Sequence, residues 1–129
     1  LNVTETMIVM EQLSRLGISF ALDDFGTGFS SLSYLALLQP KIIKVDQSFV
    51  SPSIERARNK VLLEAIISLG HKLNMTMLAE GVETPAQLER LRSVGCELGQ
   101  GFLWSPGVAK DEVPALLTRT PEEWLTSLA

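Results

Sequence analysis

The sequence predicts an α/β fold built on parallel strands, either an open sheet or part of a barrel. Short β-branched apolar runs alternate with helical stretches, and helix start and stop signals fall between them. Nearly every run also ends in a polar residue. Strand, helix, strand, helix in this order implies crossovers between parallel neighbours. About four such strands fit into 129 residues, whereas a closed eight-stranded barrel takes roughly 250. Half a barrel would leave apolar edges open, and the chain reads as part of something larger.

The first helix is predicted over 7–16, where Met7, Met10, Leu13 and Leu16 share a face and Gly17 stops the run. Strands are predicted at 18–24 (ISFALDD), 41–46 (KIIKVD), 76–80 (TMLAE) and roughly 98–104 (LGQGFLW). A long helix over 55–73 is carried by Val61, Leu62, Ala65, Ile66, Leu69 and Leu73 and closed by Asn74. The clearest helix start is TPAQLERL, with Thr84 as N-cap, Pro85 in the first turn and Gln87 completing a capping box. That helix ends at Gly95. A second start, TPEEW at 120–124, opens a short terminal helix with acids in its first turn.

Hydrophobic residues make up 46% of the chain and mean hydropathy is +0.21, ample for a core and suggestive of apolar surface meant for a neighbour. A net charge of -4 with no run of Lys or Arg argues against duplex nucleic acid as a partner. A small anionic ligand needs only a few local cations and stays open. The single cysteine, Cys96, excludes an internal disulfide and reads as a packed, inert thiol in a reducing compartment. No leader pattern and no membrane-length apolar stretch are visible. A cytoplasmic segment without membrane contact is expected, whatever tether its parent carries.

In parallel α/β folds the functional face lies at the carboxyl ends of the strands. Those ends carry Asp23 and Asp24, then Lys44 and Asp46, then Glu80 with Glu83 in the following turn, and then Gln100. Several carboxylates on one rim suit a hard divalent cation. An adjacent Asp pair can bridge two ions and clamp a phosphodiester. Lys44, among those acids, can orient or help deprotonate a water and offset charge developing on phosphorus, or serve only as an ion-pair partner. The turn from Gly26 to Gly28 either offers backbone amides to a ligand or is no more than a tight connection. Asp46 before QSF also reads as a helix cap. His71, Trp104 and Trp124 read as surface or packing residues, although Trp104 falls near the rim. Response-regulator receiver domains share the length and an acidic pair after the first strand, but they need a lysine ending the last strand, where this chain has Gln100.

DDFGTGFSSLSYL, IIKVDQSFV, LAEGVET and GQGFLWS, in this order and spacing, closely resemble the EAL-domain family from about Gly17 to Ser105. The resemblance implies a TIM-like (β/α) barrel and a cyclic di-GMP phosphodiesterase of bacterial signalling, with Mg²⁺ or Mn²⁺ as cofactor, two ions in a complete domain. It implies that Asp23, Asp24 and Glu80 are metal ligands, Lys44 the lysine near the catalytic water and Gln100 the residue that orders the site. Glu83 becomes a supporting acid. Gly26, Thr27, Gly28 and Ser30 belong to a mobile loop linked to substrate and dimerisation, and Glu5 is the acid that anchors it.

The chain also departs from the family pattern. The segment with the Glu-Ala-Leu signature and the strand with a metal-binding asparagine are absent from it. Asn2 stands where a metal carboxylate is expected, and WSPGV replaces the usual Ser-Arg-Pro. Residues 1–129 are therefore expected to be the C-terminal half of one EAL-type domain, weak or inactive alone, pairing with the N-terminal half or as a homodimer. The alternatives are a degenerate receptor that binds cyclic di-GMP without cleaving it and a non-catalytic interaction module.

Overall fold

The computed structural model describes residues 3–26, 35, 37–51 and 56–120. Four parallel strands form one sheet in the order of the sequence: β1 (Ala21–Phe25), β2 (Ile42–Val45), β3 (Thr76–Ala79) and β4 (Leu98–Gly99). Among the described residues the bounded helices are α1 (Val3–Arg15), α2 (Gln47–Val50), α3 (Arg56–Lys72), α4 (Pro85–Ser93) and α5 (Val113–Leu117), the last preceded by a 3₁₀ turn at Lys110–Glu112. This is the parallel α/β pattern expected from the alternating runs.

Strand alternation decides which side chains meet the helices. Ile43 and Val45 of β2, and Met77 and Ala79 of β3, point to one face and are at most 1% exposed. They pack with Leu63 and Ile67 of α3, Leu91 of α4, Val82 and Leu103. Truncating one of these, Leu63 for example, costs about 2–5 kcal/mol through lost transfer energy and the cavity left behind. The opposite face carries Ile42, Lys44, Thr76 and Leu78, all half-buried. Polar chemistry is therefore confined to the face and rim that the helices leave open.

Local signals held where they were strongest. Thr84 caps α4 with a complete capping box to Gln87, and the long helix gives way to Asn74 in the left-handed region at φ 57°. Three expectations need correction. The helix expected from Met7 begins at Val3, which puts Glu5 in its first turn. The fourth strand stops at Gly99 instead of running to Trp104, because the chain there turns to bond the segment after β3. Val82 N–H donates to the Gln100 carbonyl at 3.1 Å, Leu103 N–H donates to the Val82 carbonyl at 2.9 Å, and Leu103 drops into the core. The strand expected over 18–24 is shifted to 21–25. The expected terminal helix lies outside the described residues beyond Thr120, and so does Trp124. Among the described residues no helix is long and apolar enough to cross a membrane.

Candidate metal centre

Neighbouring residues on a regular strand point to opposite faces, so two adjacent aspartates should not reach one site. A bulge in β1 removes the obstacle. Leu22 pairs with Ile43 and Phe25 with Val45, with the register shifting between them. Asp23 and Asp24 together therefore stand opposite the single residue Lys44. Asp24 absorbs the extra length in the left-handed region at φ 52°, a conformation Asp tolerates better than most residues. Its N–H donates to Asp23 Oδ1 at 3.2 Å.

The neighbouring strands complete the cluster. Lys44 Nζ donates to Asp23 Oδ1 at 2.7 Å and to Glu80 Oε1 at 2.6 Å. Gln100 Nε2 donates to the same Glu80 oxygen at 3.0 Å. One carboxylate oxygen from each of Asp23, Asp24 and Glu80 lies within 4.8 Å of the other two. These bonds hold the Asp23 carboxyl below the usual range, chiefly through the Lys44 hydrogen bond and against an opposing desolvation effect. The same bonds, Asp23 first and then Glu80, push Lys44 well above the ordinary ammonium range, so it stays cationic. Asp23 is 62% exposed and Glu80 only 16%. The first pair is thus well screened by water and salt, and the second less so.

The other expected site residues distribute differently. Asp46 lies outside the cluster and caps α2, its Oδ1 accepting Ser48 N–H at 2.9 Å. Glu83 is exposed in the turn before α4, and its backbone N–H donates to Gln87 Oε1 at 2.7 Å. Glu5 is exposed on α1. Gly26 closes the bulge, while Thr27, Gly28, Ser30 and Asn2 lie outside the described residues. His71 sits away from the rim, toward the start of β3. There its Nε2 meets Glu97 Oε1 at 2.8 Å, and Glu97 Oε2 accepts Met77 N–H at 3.0 Å. Cys96 is half-buried, and burial raises its thiol pKa.

Among the described residues the donor set is three carboxylates close enough to share a cation, with no soft ligand beside them, which fits Mg²⁺ or Mn²⁺ better than a thiolate-seeking metal. Sequence reasoning found these acids from their places at strand ends. It missed the bulge, whose one trace was two adjacent acids with a glycine two residues further on. The ion-pair reading of Lys44 held, with two acids as its partners.

A parallel sheet backed by helices, with a carboxylate cluster at the carboxyl ends of its strands, defines a parallel α/β domain with its polar face on that rim. The chain belongs to the EAL domain family, whose family model matches residues 2–107. It is 46% identical over 104 residues to cyclic di-GMP phosphodiesterase NbdA of Pseudomonas aeruginosa, an alignment covering 81% of this chain and 13% of that protein. The solved complex of PaMucR phosphodiesterase with c-di-GMP superposes with a TM-score of 0.79 at 38% identity, over 87% of this chain and 45% of that one. The manganese and cyclic di-GMP complex of Klebsiella pneumoniae BlrP1 superposes with a TM-score of 0.68 at 38% identity, over 76% of this chain and 25% of that one. The chain thus spans less than half the length of each of these relatives. The EAL neighbours are TIM-barrel-like, and the four strands here match part of such a barrel.

Proposed function

We propose that this chain contributes the carboxylate rim of a divalent-cation-dependent phosphodiesterase that opens cyclic di-GMP to the linear dinucleotide. The observation that carries the reading is the set of three carboxylate oxygens within 4.8 Å of one another, two of the three acids held by one ammonium group. Asp23, Asp24 and Glu80 are the residues that hold Mg²⁺ or Mn²⁺, as one ion or a pair. A divalent cation bound there supplies Lewis acidity toward a phosphodiester oxygen and makes water at the site easier to deprotonate. Lys44 offsets negative charge gathering on the phosphoryl oxygens, a task suited to a fixed cation on a half-buried stem. Gln100 steadies Glu80 by donating to the oxygen that Lys44 also holds.

Glu83 supports the same rim from the turn after β3. Gly26, Thr27, Gly28 and Ser30 form the loop that answers to substrate, with Glu5 anchoring it. Residues 1–129 act as one part of a single EAL-type domain, and the partner that completes it is the remaining barrel segment or a second copy. The lone thiol of Cys96 supports a reducing, cytoplasmic setting.

The test is turnover of cyclic di-GMP with Mn²⁺ present and after chelation, the linear dinucleotide being followed by chromatography. It uses the chain alone and the chain supplied with the complementary barrel segment. Metal-dependent product that disappears in Asp24→Asn supports the reading, and no product under either arrangement sinks it. A second reading rests on Asn2, a neutral amide where the family places a metal carboxylate. It makes the chain a receptor, and metal-independent binding of cyclic di-GMP without product would favour it.

A further inference from the structure

We infer that α2 is a bracket that positions the metal-holding carboxylates, with Phe49 and Gln47 as its positioning residues. The inference rests on the metal reading above and adds residues outside the carboxylate cluster.

A single helical turn has almost no stability of its own, yet α2 is fastened on every side. Asp46 caps its start, with Ser48 N–H donating to Asp46 Oδ1 at 2.9 Å. Ser51 N–H closes its end on the Gln47 carbonyl at 2.8 Å. Val50, 2% exposed, anchors it in the core. Asn59 Nδ2 reaches across from α3 to the Ser48 carbonyl at 3.3 Å.

From this anchored turn two side chains press on two glycine turns. The Phe49 ring lies against Gly26, where a Cβ would fall 2.6 Å from Phe49 Cζ, so that any side chain there would have to displace the ring. Gln47 lies against Gly81, where a Cβ would fall 2.6 Å from Gln47 Cβ and 3.1 Å from its Oε1. Both glycines occupy backbone regions that other residues rarely adopt, at φ 106° and 67°. Gly26 comes two residues after Asp24, and Gly81 comes directly after Glu80. The strand ends carrying the three carboxylates are thus each closed by a turn with no free space toward α2. Ligands must be held to about half an ångström for a tight site. An anchored element pressing on both turns adds to the Lys44 bridge between Asp23 and Glu80 in setting the spacing of the β1 and β3 acids.

The test is Mn²⁺ affinity, read from the EPR signal of free Mn²⁺ in titrations of the full chain, beside thermal unfolding without metal. The proteins are the unaltered chain, Phe49→Ala, Phe49→Leu and, as a stability control, Leu91→Ala, which opens a cavity behind α4 instead. Phe49→Ala is expected to weaken Mn²⁺ binding by about 10-fold or more, the scale on which supporting residues tune metal sites. Phe49→Leu restores most of that loss, and Leu91→Ala binds like the unaltered chain despite its lower melting temperature. Should Phe49→Ala fail to fold, Gln47→Gly at an exposed position removes the Cβ facing Gly81 and is expected to show the same loss. Unchanged affinity in the bracket variants overturns the inference, as does an affinity loss that merely tracks stability across all variants. An unaltered chain that binds no Mn²⁺ overturns the metal reading itself and this inference with it.

Discussion

Replacing Lys44 with methionine should tighten Mn²⁺ binding while it weakens the metal-free fold. The ammonium stands 2.6 Å from Glu80 and 2.7 Å from Asp23, so it occupies the negative potential that a cation needs. Three carboxylates and one ammonium carry a net charge of about -2, and the variant carries about -3. A cation bonded to the Glu80 oxygen at about 2.1 Å stands no farther than about 5 Å from Nζ. At that distance, with the full dielectric of water, a single and a double positive charge repel by about 1.7 kcal/mol. Removing the repulsion is worth somewhat more than about tenfold in the Mn²⁺ dissociation constant. The half-buried position of Lys44 makes that figure a floor. Without metal, the three acids repel one another unrelieved, so the variant melts lower than the unaltered chain and gains more from added Mn²⁺. Calorimetric Mn²⁺ titration at low salt, where screening is weak, together with melting curves with and without Mn²⁺, reads both effects. Lys44→Arg, which keeps the charge, should leave affinity near the original. Equal or weaker Mn²⁺ binding in Lys44→Met would refute the assignment of these carboxylates to a cation.

The bulge makes its own prediction at Asp24. Asp24→Asn keeps a side chain that tolerates the left-handed region, so melting should barely change while Mn²⁺ affinity falls. Asp24→Val should cost a further 1–2 kcal/mol or so in urea unfolding, because a β-branched residue resists that backbone. At Cys96 burial raises the thiol pKa, so iodoacetamide should label the folded chain at pH 8 far more slowly than the urea-unfolded chain. The linkage has a definite sign: above about pH 8.5 the unfolded thiol ionises first. Cys96 therefore lowers stability only on the alkaline side, and Cys96→Ala should flatten that slope. At Arg90 the Nε and Nη2 atoms are buried without a hydrogen-bond acceptor among the described residues. Arg90→Met keeps the apolar stem and removes the stranded groups, and it should raise the urea midpoint by an amount worth about 1–3 kcal/mol. A lower midpoint would show that the guanidinium has a partner.

Much of the architecture was written locally. The β-branched runs IIKV and TMLA, the Thr84–Gln87 capping box and Asn74 at the end of the long helix act within a few residues, and each appears where its chemistry placed it. The parallel order followed from alternation alone, because a helix between two strands leaves little choice but a crossover. The rim residues were legible for the same reason: each strand that ends in an acid, lysine or glutamine delivers it to the same side.

What stayed hidden depends on register between distant segments. Asp23 meets Lys44 across 21 residues, and Glu80 meets Gln100 across 20. Neither separation leaves a periodic trace in the sequence. The bulge that brings Asp23 and Asp24 together exists because β1 must stay paired with β2 on both sides of it, a constraint imposed by the sheet. The fourth strand was overestimated because Gly99 to Trp104 has the composition of a strand, while the bonds between Val82 and residues 100 and 103 turn the chain inward. The role of α2 was invisible as well, since QSFV looks like any short connection until its ring meets Gly26. The sequence alone thus specified the elements, their order and the residues offered to the rim. The sheet register and the packing of α2 determined which of those residues meet, because short-range propensity acts along the chain and a site is assembled across it.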